Sequence, residues 1–204
     1  MSNSTMRRIQ KECKEVVVDG EMADLGITIE IDDASFARLR AEIRGPPDTP
    51  YENGRFKLDI SFPDDYPFKP LLAKFTSKVW HPNVSSQTGT ICLDMLKDKC
   101  LSRTAGFSLR TVLLSIQNLL AHPEPTDPQD AVVARQYMSE RLDFDRTARF
   151  WTQHFADGPG EKDSEMLARI ENVAGKTCDQ QNEAISVLSC NNWDVKKAVA
   201  YIKS

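Results

Sequence analysis

Between Ile27 and Phe75 the chain repeats one pattern four times, and that repetition restricts its fold more than any other feature. Ile27, Ile29 and Ile31 alternate with Thr28 and Glu30, and Leu39, Ala41 and Ile43 repeat the spacing. Phe56, Leu58, Ile60 and Phe62 give the clearest run, and Ala73 and Phe75, reaching to Val79, give a fourth. A period of two puts each apolar set on one face of a strand. Between them, "GPPDTPYENG" (45–54) and "PDDYPFKP" (63–70) place prolines and glycines that interrupt regular ladders. Parallel neighbours need a long crossover, usually a helix, and these connections are short and non-helical. The spacing predicts an antiparallel meander.

Helical periodicity brackets that sheet. Met6, Ile9, Cys13 and Val16 predict an amphipathic opening helix. Ser108 can cap a helix whose Leu109, Val112, Leu113, Ile116 and Leu120 form a broad apolar stripe. "HPEPTDPQD" (122–130) breaks it, and two more helical segments are expected around 130–139 and 144–155. Phe150, Trp151 and Phe155 give the last of these an aromatic face. The predicted class is α+β: an N-terminal helix, a four-stranded antiparallel meander sheet, then helices. "ADGPGEKD" (156–163) is a linker by composition. Beyond it, apolar residues at 166, 167 and 170, at 184, 185 and 188, and at 195, 198, 199 and 202 predict a three-helix bundle. The expected division is a core at 1–156, a linker at 157–163 and a small domain at 164–204.

The formal charge of -4 gives no basic excess to neutralise phosphates, so no nucleic-acid partner is expected. The cluster Arg7, Arg8, Lys11 and Lys14 reads as a solvated helix face or a local basic patch. The opening "MSNSTMRRIQKECKEV" lacks the apolar core of a signal peptide, and no later run approaches membrane-spanning length. Five cysteines (13, 92, 100, 178 and 190) form no CxxC pair and, with three scattered histidines, no zinc spacing. No metal and no membrane partner are therefore expected, and reduced thiols suit cytosol or nucleus.

One segment holds the chemistry. "WHPNVSSQTGTICLD" (80–94) places His81 and Cys92 together, which suggests a thiolate with an imidazole base. A hydrolase would also need a group to orient that base and an oxyanion site. His81 lies between Trp80 and Pro82, where its ring could instead satisfy backbone groups, and His122 and His154 fall in no protease signature. A buried structural cysteine is the commoner alternative. The residues alone leave both readings open.

Taken with its neighbours, "HPNVSSQTGTICLDML" (81–96) resembles the active-site segment of ubiquitin-conjugating enzymes. "GPPDTPYENGRF", "FPDDYPFKP", "LRTVLLSIQNLL" and "EPTDPQDAVVA" are similar to the same family in the same order, covering about residues 5–155. The helical tail resembles the subgroup with a C-terminal ubiquitin-associated domain. This resemblance implies that Cys92 takes ubiquitin's C-terminal glycine from the activating enzyme as a thioester. It then passes ubiquitin to lysines of protein substrates or of ubiquitin, building degradative polyubiquitin chains. ATP is used upstream by the activating enzyme, so no cofactor is expected here. A thioester needs only proximity and orientation for an amine to attack it, so a Cys–His pair is unnecessary and His81 becomes a structural member of its turn. Asn83 would hydrogen-bond the oxyanion of the transition state, hold its own loop, or both. Asp127 would orient or help deprotonate the incoming lysine, with Asp94 a further candidate. Phe68, Pro70, Ser102 and Ala105 would meet RING-type ligases, and Arg7 and Arg8 the activating enzyme.

The chain departs from the family pattern in four places. Leu71 stands where a second proline is usual, and "KCLSRTAGFS" (99–108) is longer than the usual segment and sets Cys100 near the expected site. In the tail, "AGKTCDQQ" replaces a Met-Gly-Phe loop and Tyr201-Ile202 replaces a dileucine. Two alternatives remain beside the enzyme reading. A catalytically silent binding module is opposed by the presence of Cys92, and a cysteine hydrolase lacks a placed base.

Overall fold

The computed structural model describes the chain except for residues 32–35, 94–95, 97–106, 178–180 and 204; of residues 175–177 it describes the backbone only. The expected meander is present as β1 (Ile27–Ile31), β2 (Arg38–Arg44), β3 (Arg55–Ser61) and β4 (Leu72–Phe75), ordered β1-β2-β3-β4 with every neighbouring pair antiparallel. Alternation sets the register: Leu39 faces Ile60, Ala41 faces Leu58 and Ile43 faces Phe56, all buried on one side. A slip of one residue would turn that whole set to water. Val79 is buried but lies beyond β4, because the chain turns away where the Thr76 and Ser77 amides both donate to the Lys57 carbonyl.

Helix α1 (Asn3–Val18) is capped by Ser2, whose hydroxyl accepts from the Thr5 amide at 3.1 Å. It buries Ile9, Cys13 and Val16 and packs against β1 and α3 (Leu109–Ala121). A five-residue helix, α2 (Gly20–Asp24), follows a cap at Asp19 and was too short to show a period. As expected, Ser108 caps α3, which buries Leu109, Val112, Leu113, Ile116, Leu119 and Leu120. Glu12 joins these pieces although it is a carboxylate only 5% exposed. It accepts from Arg8 Nε at 2.8 Å, from the Tyr66 hydroxyl at 2.6 Å and from the first amide of α3, Leu109, at 2.9 Å. A carboxylate at a helix N-terminus meets unpaired amides and the positive end of the dipole, which offsets its burial.

Helix α4 (Ala131–Ser139) is followed by α5 (Arg141–Phe155), which starts three residues before the expected 144. Phe144, Phe150 and Trp151 are buried along α5, and Trp151 packs on Trp80 with ring centroids 5.0 Å apart. The tail forms α6 (Ser164–Thr177), α7 (Gln181–Cys190) and α8 (Val195–Lys203), which pack on one another around Met166, Ile170, Val173, Ile185 and Leu188. They also seat on α5. The Trp151 indole donates to Ser189 Oγ at 2.9 Å, and the Trp193 indole donates to Thr147 Oγ1 at 2.9 Å. The intervening stretch is pinned despite its composition: the Gly158 amide donates to Thr152 O, and Arg146 pairs with Asp163 and Glu165, each at 2.6 Å.

Candidate active site

The 80–93 segment runs from the end of the sheet to the mouth of the site, and its shape depends on close backbone approach. Gly89 adopts φ +73°, and a Cβ there would sit 1.9 Å from the Phe75 carbonyl oxygen. Only glycine permits both. The resulting contact lets the Phe75 amide donate to Gly89 O at 2.9 Å, tying the segment to β4.

His81 is fully buried and both ring nitrogens are committed. Nδ1 accepts from the Asn83 amide at 3.0 Å, so the proton is on Nε2, which donates to Leu119 O at 3.0 Å. Burial drives its pKa down to about 3, with the Leu119 carbonyl opposing only in part. A neutral ring with no free nitrogen cannot act as a base toward Cys92. His122 and His154 sit at the C-terminal ends of α3 and α5, with contacts of their own to Asn118 O and the Phe150 ring. The hydrolase reading thus has no base among these histidines.

Asn83 is 2% exposed and spends its whole side chain on the loop between α3 and α4. Its Nδ2 donates to Glu124 O at 2.8 Å and to Asp127 O at 3.0 Å, while Oδ1 accepts from the Glu124 amide at 2.8 Å. The same loop is held by Pro82 O, which accepts from the Gln129 and Asp130 amides at 2.9 and 3.0 Å. Asp130, the N-cap of α4, adds a 2.6 Å hydrogen bond from Ser86 Oγ. These bonds fix Asp127 beside the cysteine. Cys92 is half-buried, its amide donates to Asn83 O at 2.8 Å, and its thiol donates to Asp127 Oδ2 at 3.7 Å. Asp127 itself is exposed, within reach of an incoming group.

Among the described residues the two other thiols offer no such setting. Cys13 is buried and Cys190 partly so, and burial pushes each pKa up to about 11. Such groups stay protonated and are poor nucleophiles. Among the described residues no cluster of three or more His, Cys, Asp or Glu could hold a metal ion, and no helix is long and apolar enough to cross a membrane.

The expected partner residues divide. Phe68 is 72% exposed on its loop and Arg7 is exposed on α1. Arg8 is turned inward, paired with Glu12 and lying 5.6 Å from the Tyr66 ring. Pro70 is buried, because the loop end at 70–71 plugs into the core beside Leu71. Leu71 fills core volume, which accounts for an apolar residue at that departure. Asp94, Cys100, Ser102 and Ala105 lie outside the described residues. Asp130 and Glu12 escaped the sequence reading, although each left a trace there. Asp130 directly precedes an apolar helix, as an N-cap should, and Glu12 lies on the Ile9–Cys13–Val16 stripe.

Comparison with known proteins decides the family. The family model described as ubiquitin-conjugating enzyme matches residues 8–152. The chain belongs to the ubiquitin-conjugating enzyme family. It is 47% identical over 204 residues to Ubiquitin-conjugating enzyme E2 K of Homo sapiens, covering 100% of both chains. To Ubiquitin-conjugating enzyme E2 21 of Caenorhabditis elegans it is 43% identical over 202 residues, 99% of this chain and 92% of that protein. Among solved structures, the E2 domain of a Toxoplasma gondii ubiquitin conjugating enzyme superposes with a TM-score of 0.65 at 46% identity, over 74% of this chain and 97% of that one. The full-length match to the human protein runs through 164–204, so the chain groups with ubiquitin-conjugating enzymes that carry a C-terminal extension of this kind.

Proposed function

We propose that this ubiquitin-conjugating enzyme receives ubiquitin as a thioester on Cys92 and transfers it to lysines of protein substrates or of ubiquitin itself, building degradative chains. The observation that carries this reading is a half-exposed thiol 3.7 Å from the Asp127 carboxylate, in a segment whose histidine has both ring nitrogens committed elsewhere. That pairing suits acyl transfer to an amine. The lysine nitrogen bonds to the thioester carbonyl carbon, the C–S bond breaks, and the sulfur leaves as thiolate. Asp127 holds the ammonium in line and takes its first proton before attack, a role its exposed oxygen can serve, and the second proton, shed by the nitrogen once the C–N bond has formed, passes to the departing thiolate. Asn83 acts mainly by holding the 124–127 backbone, since both its amide hydrogens are already donated to carbonyls.

In the same reading, residues 1–156 are the catalytic core, 157–163 the linker and 164–204 a ubiquitin-associated domain. An ATP-using activating enzyme supplies ubiquitin through a surface that includes Arg7, and RING-type ligases engage Phe68. The protein works in the cytosol and nucleus.

Incubation with ubiquitin, activating enzyme and ATP tests the proposal. The expected product is an adduct at Cys92 that reductant removes, converted by Cys92→Ser to a reductant-resistant oxyester. An adduct unchanged in Cys92→Ala would sink the reading.

A further inference from the structure

Gln136 belongs to α4, not to the site, yet it is only 4% exposed and its carboxamide is engaged at both its oxygen and its nitrogen. Its Oε1 accepts from the Trp80 indole at 2.7 Å, one residue ahead of the turn that holds His81 and Asn83. Its Nε2 donates to Asn192 Oδ1 at 3.0 Å, in the turn between α7 and α8, and Asn192 Nδ2 in turn donates to Glu140. A continuous line of hydrogen bonds thus joins the C-terminal helices to the active-site segment. The Trp80 carbonyl is clamped from the other side by the Tyr51 hydroxyl at 2.7 Å.

The far end of that line is a strained element. Asn192 and Trp193 have φ of 51° and 60°, a region that a bulky residue such as tryptophan rarely adopts. Such backbone persists when its surroundings over-determine it. Here the Trp193 amide donates to Leu188 O at 2.7 Å, and its carbonyl accepts from Arg169 at 2.8 Å. Its ring stands edge-on to Phe150 at 5.3 Å, beside the indole bond to Thr147. Two of these holds come from α5 of the core, so the turn and the core constrain each other.

We propose that Gln136 is a positioning residue for acyl transfer, through which the α7–α8 turn fixes Trp80 and hence the Asn83 turn and the Asp127 loop. This rests on the thioester reading above. The test is single-turnover discharge of the full-length protein to free lysine at varied concentration, with charging measured separately. Asn192→Ala should lower the saturating discharge rate by about threefold to tenfold, inside the roughly twofold to thirtyfold range of network residues that touch no ligand. Charging and the half-saturating lysine concentration should stay within about twofold. Gln136→Leu should do the same, and adding Asn192→Ala to it should cost no more, since the line is already cut. Asn192→Asp alone sets two carboxylates against each other and should keep the defect, whereas adding Glu140→Gln reverses the donor and acceptor at the end of the line and should restore the rate, a difference that packing, equal in both variants, would not give. Unchanged discharge in Asn192→Ala, charging that falls in parallel with discharge, or multiplying defects in the double variant would each overturn the inference. Failure of the unmutated protein to charge on Cys92 would instead defeat the thioester reading.

Discussion

Replacing Asn83 with alanine removes three hydrogen bonds at once and leaves the Glu124 amide, the Glu124 carbonyl and the Asp127 carbonyl without their partner. These groups are partly buried, so water can recover some of the loss. Unsatisfied buried groups cost about 1–3 kcal/mol each; with that recovery, the total should be roughly 2–3 kcal/mol. For a chain of this size that lowers Tm by about 4–12 °C. The loop would not detach, because Pro82 O still holds Gln129 and Asp130, and Ser86 still holds Asp130. What is lost is the placement of Asp127. Discharge to lysine should therefore fall on the order of a hundredfold, the scale of a misplaced acid–base group, while charging stays near normal. The pair Asn83→Ala and Asp127→Ala separates the two roles open to Asn83. If Asn83 works through Asp127, the double variant should discharge no more slowly than the slower single variant. Defects that multiply would show an independent contribution to the oxyanion and refute the argument from spent donors.

Gly89→Ala forces a side chain onto the Phe75 carbonyl at positive φ, so it should cost more than about 1 kcal/mol and weaken charging, read by thermal melting and the adduct gel. His81 makes stability depend on pH in a defined direction. Its folded pKa of about 3 lies below the ordinary 6.5, so the unfolded chain takes up a proton first. Stability from this residue is complete above about pH 6.5 and falls as pH drops toward 3, with a slope approaching about 1.4 kcal/mol per unit. Urea midpoints against pH should be less steep for His81→Gln than for the parent; equal slopes would contradict the buried neutral ring. Truncation after Gly160 should leave thioester formation intact but uncover Trp151, giving red-shifted tryptophan fluorescence and a lower Tm. Unshifted emission would mean that the tail does not cover α5 in solution.

The sheet was legible because each strand buries one face, and burial on one face writes a period of two into the residues. Ser108 and the stripe of α3 were legible for the same kind of reason, a cap followed by a helical period. The partners of Glu12 and Gln136 were not, because a buried polar side chain is satisfied by groups distant in sequence, such as Leu109 and Trp80; for Asp130 the cap left a trace but the bond from Ser86 did not. Composition marked 156–163 as a linker, yet Arg146, Thr152 and Gln153 bind it from α5. The seating of the tail on the core was hidden likewise: Trp151 pairs with Ser189 and Thr147 with Trp193, partners about forty residues apart in the chain. Within the site, Cys92 and Asp127 came from the resemblance, while the commitment of His81 to Leu119 needed three dimensions.

The central claim is that one thiol, Cys92, carries ubiquitin without help from an imidazole. A full-length variant retaining only that thiol, with Cys13, Cys100, Cys178 and Cys190 all replaced by alanine, tests it most directly. Intact-mass measurement after charging should find one ubiquitin per chain, lost on adding reductant, at a rate of formation close to that of the parent. A folded variant that gains no ubiquitin, while the parent with Cys92→Ala still does, would contradict the account.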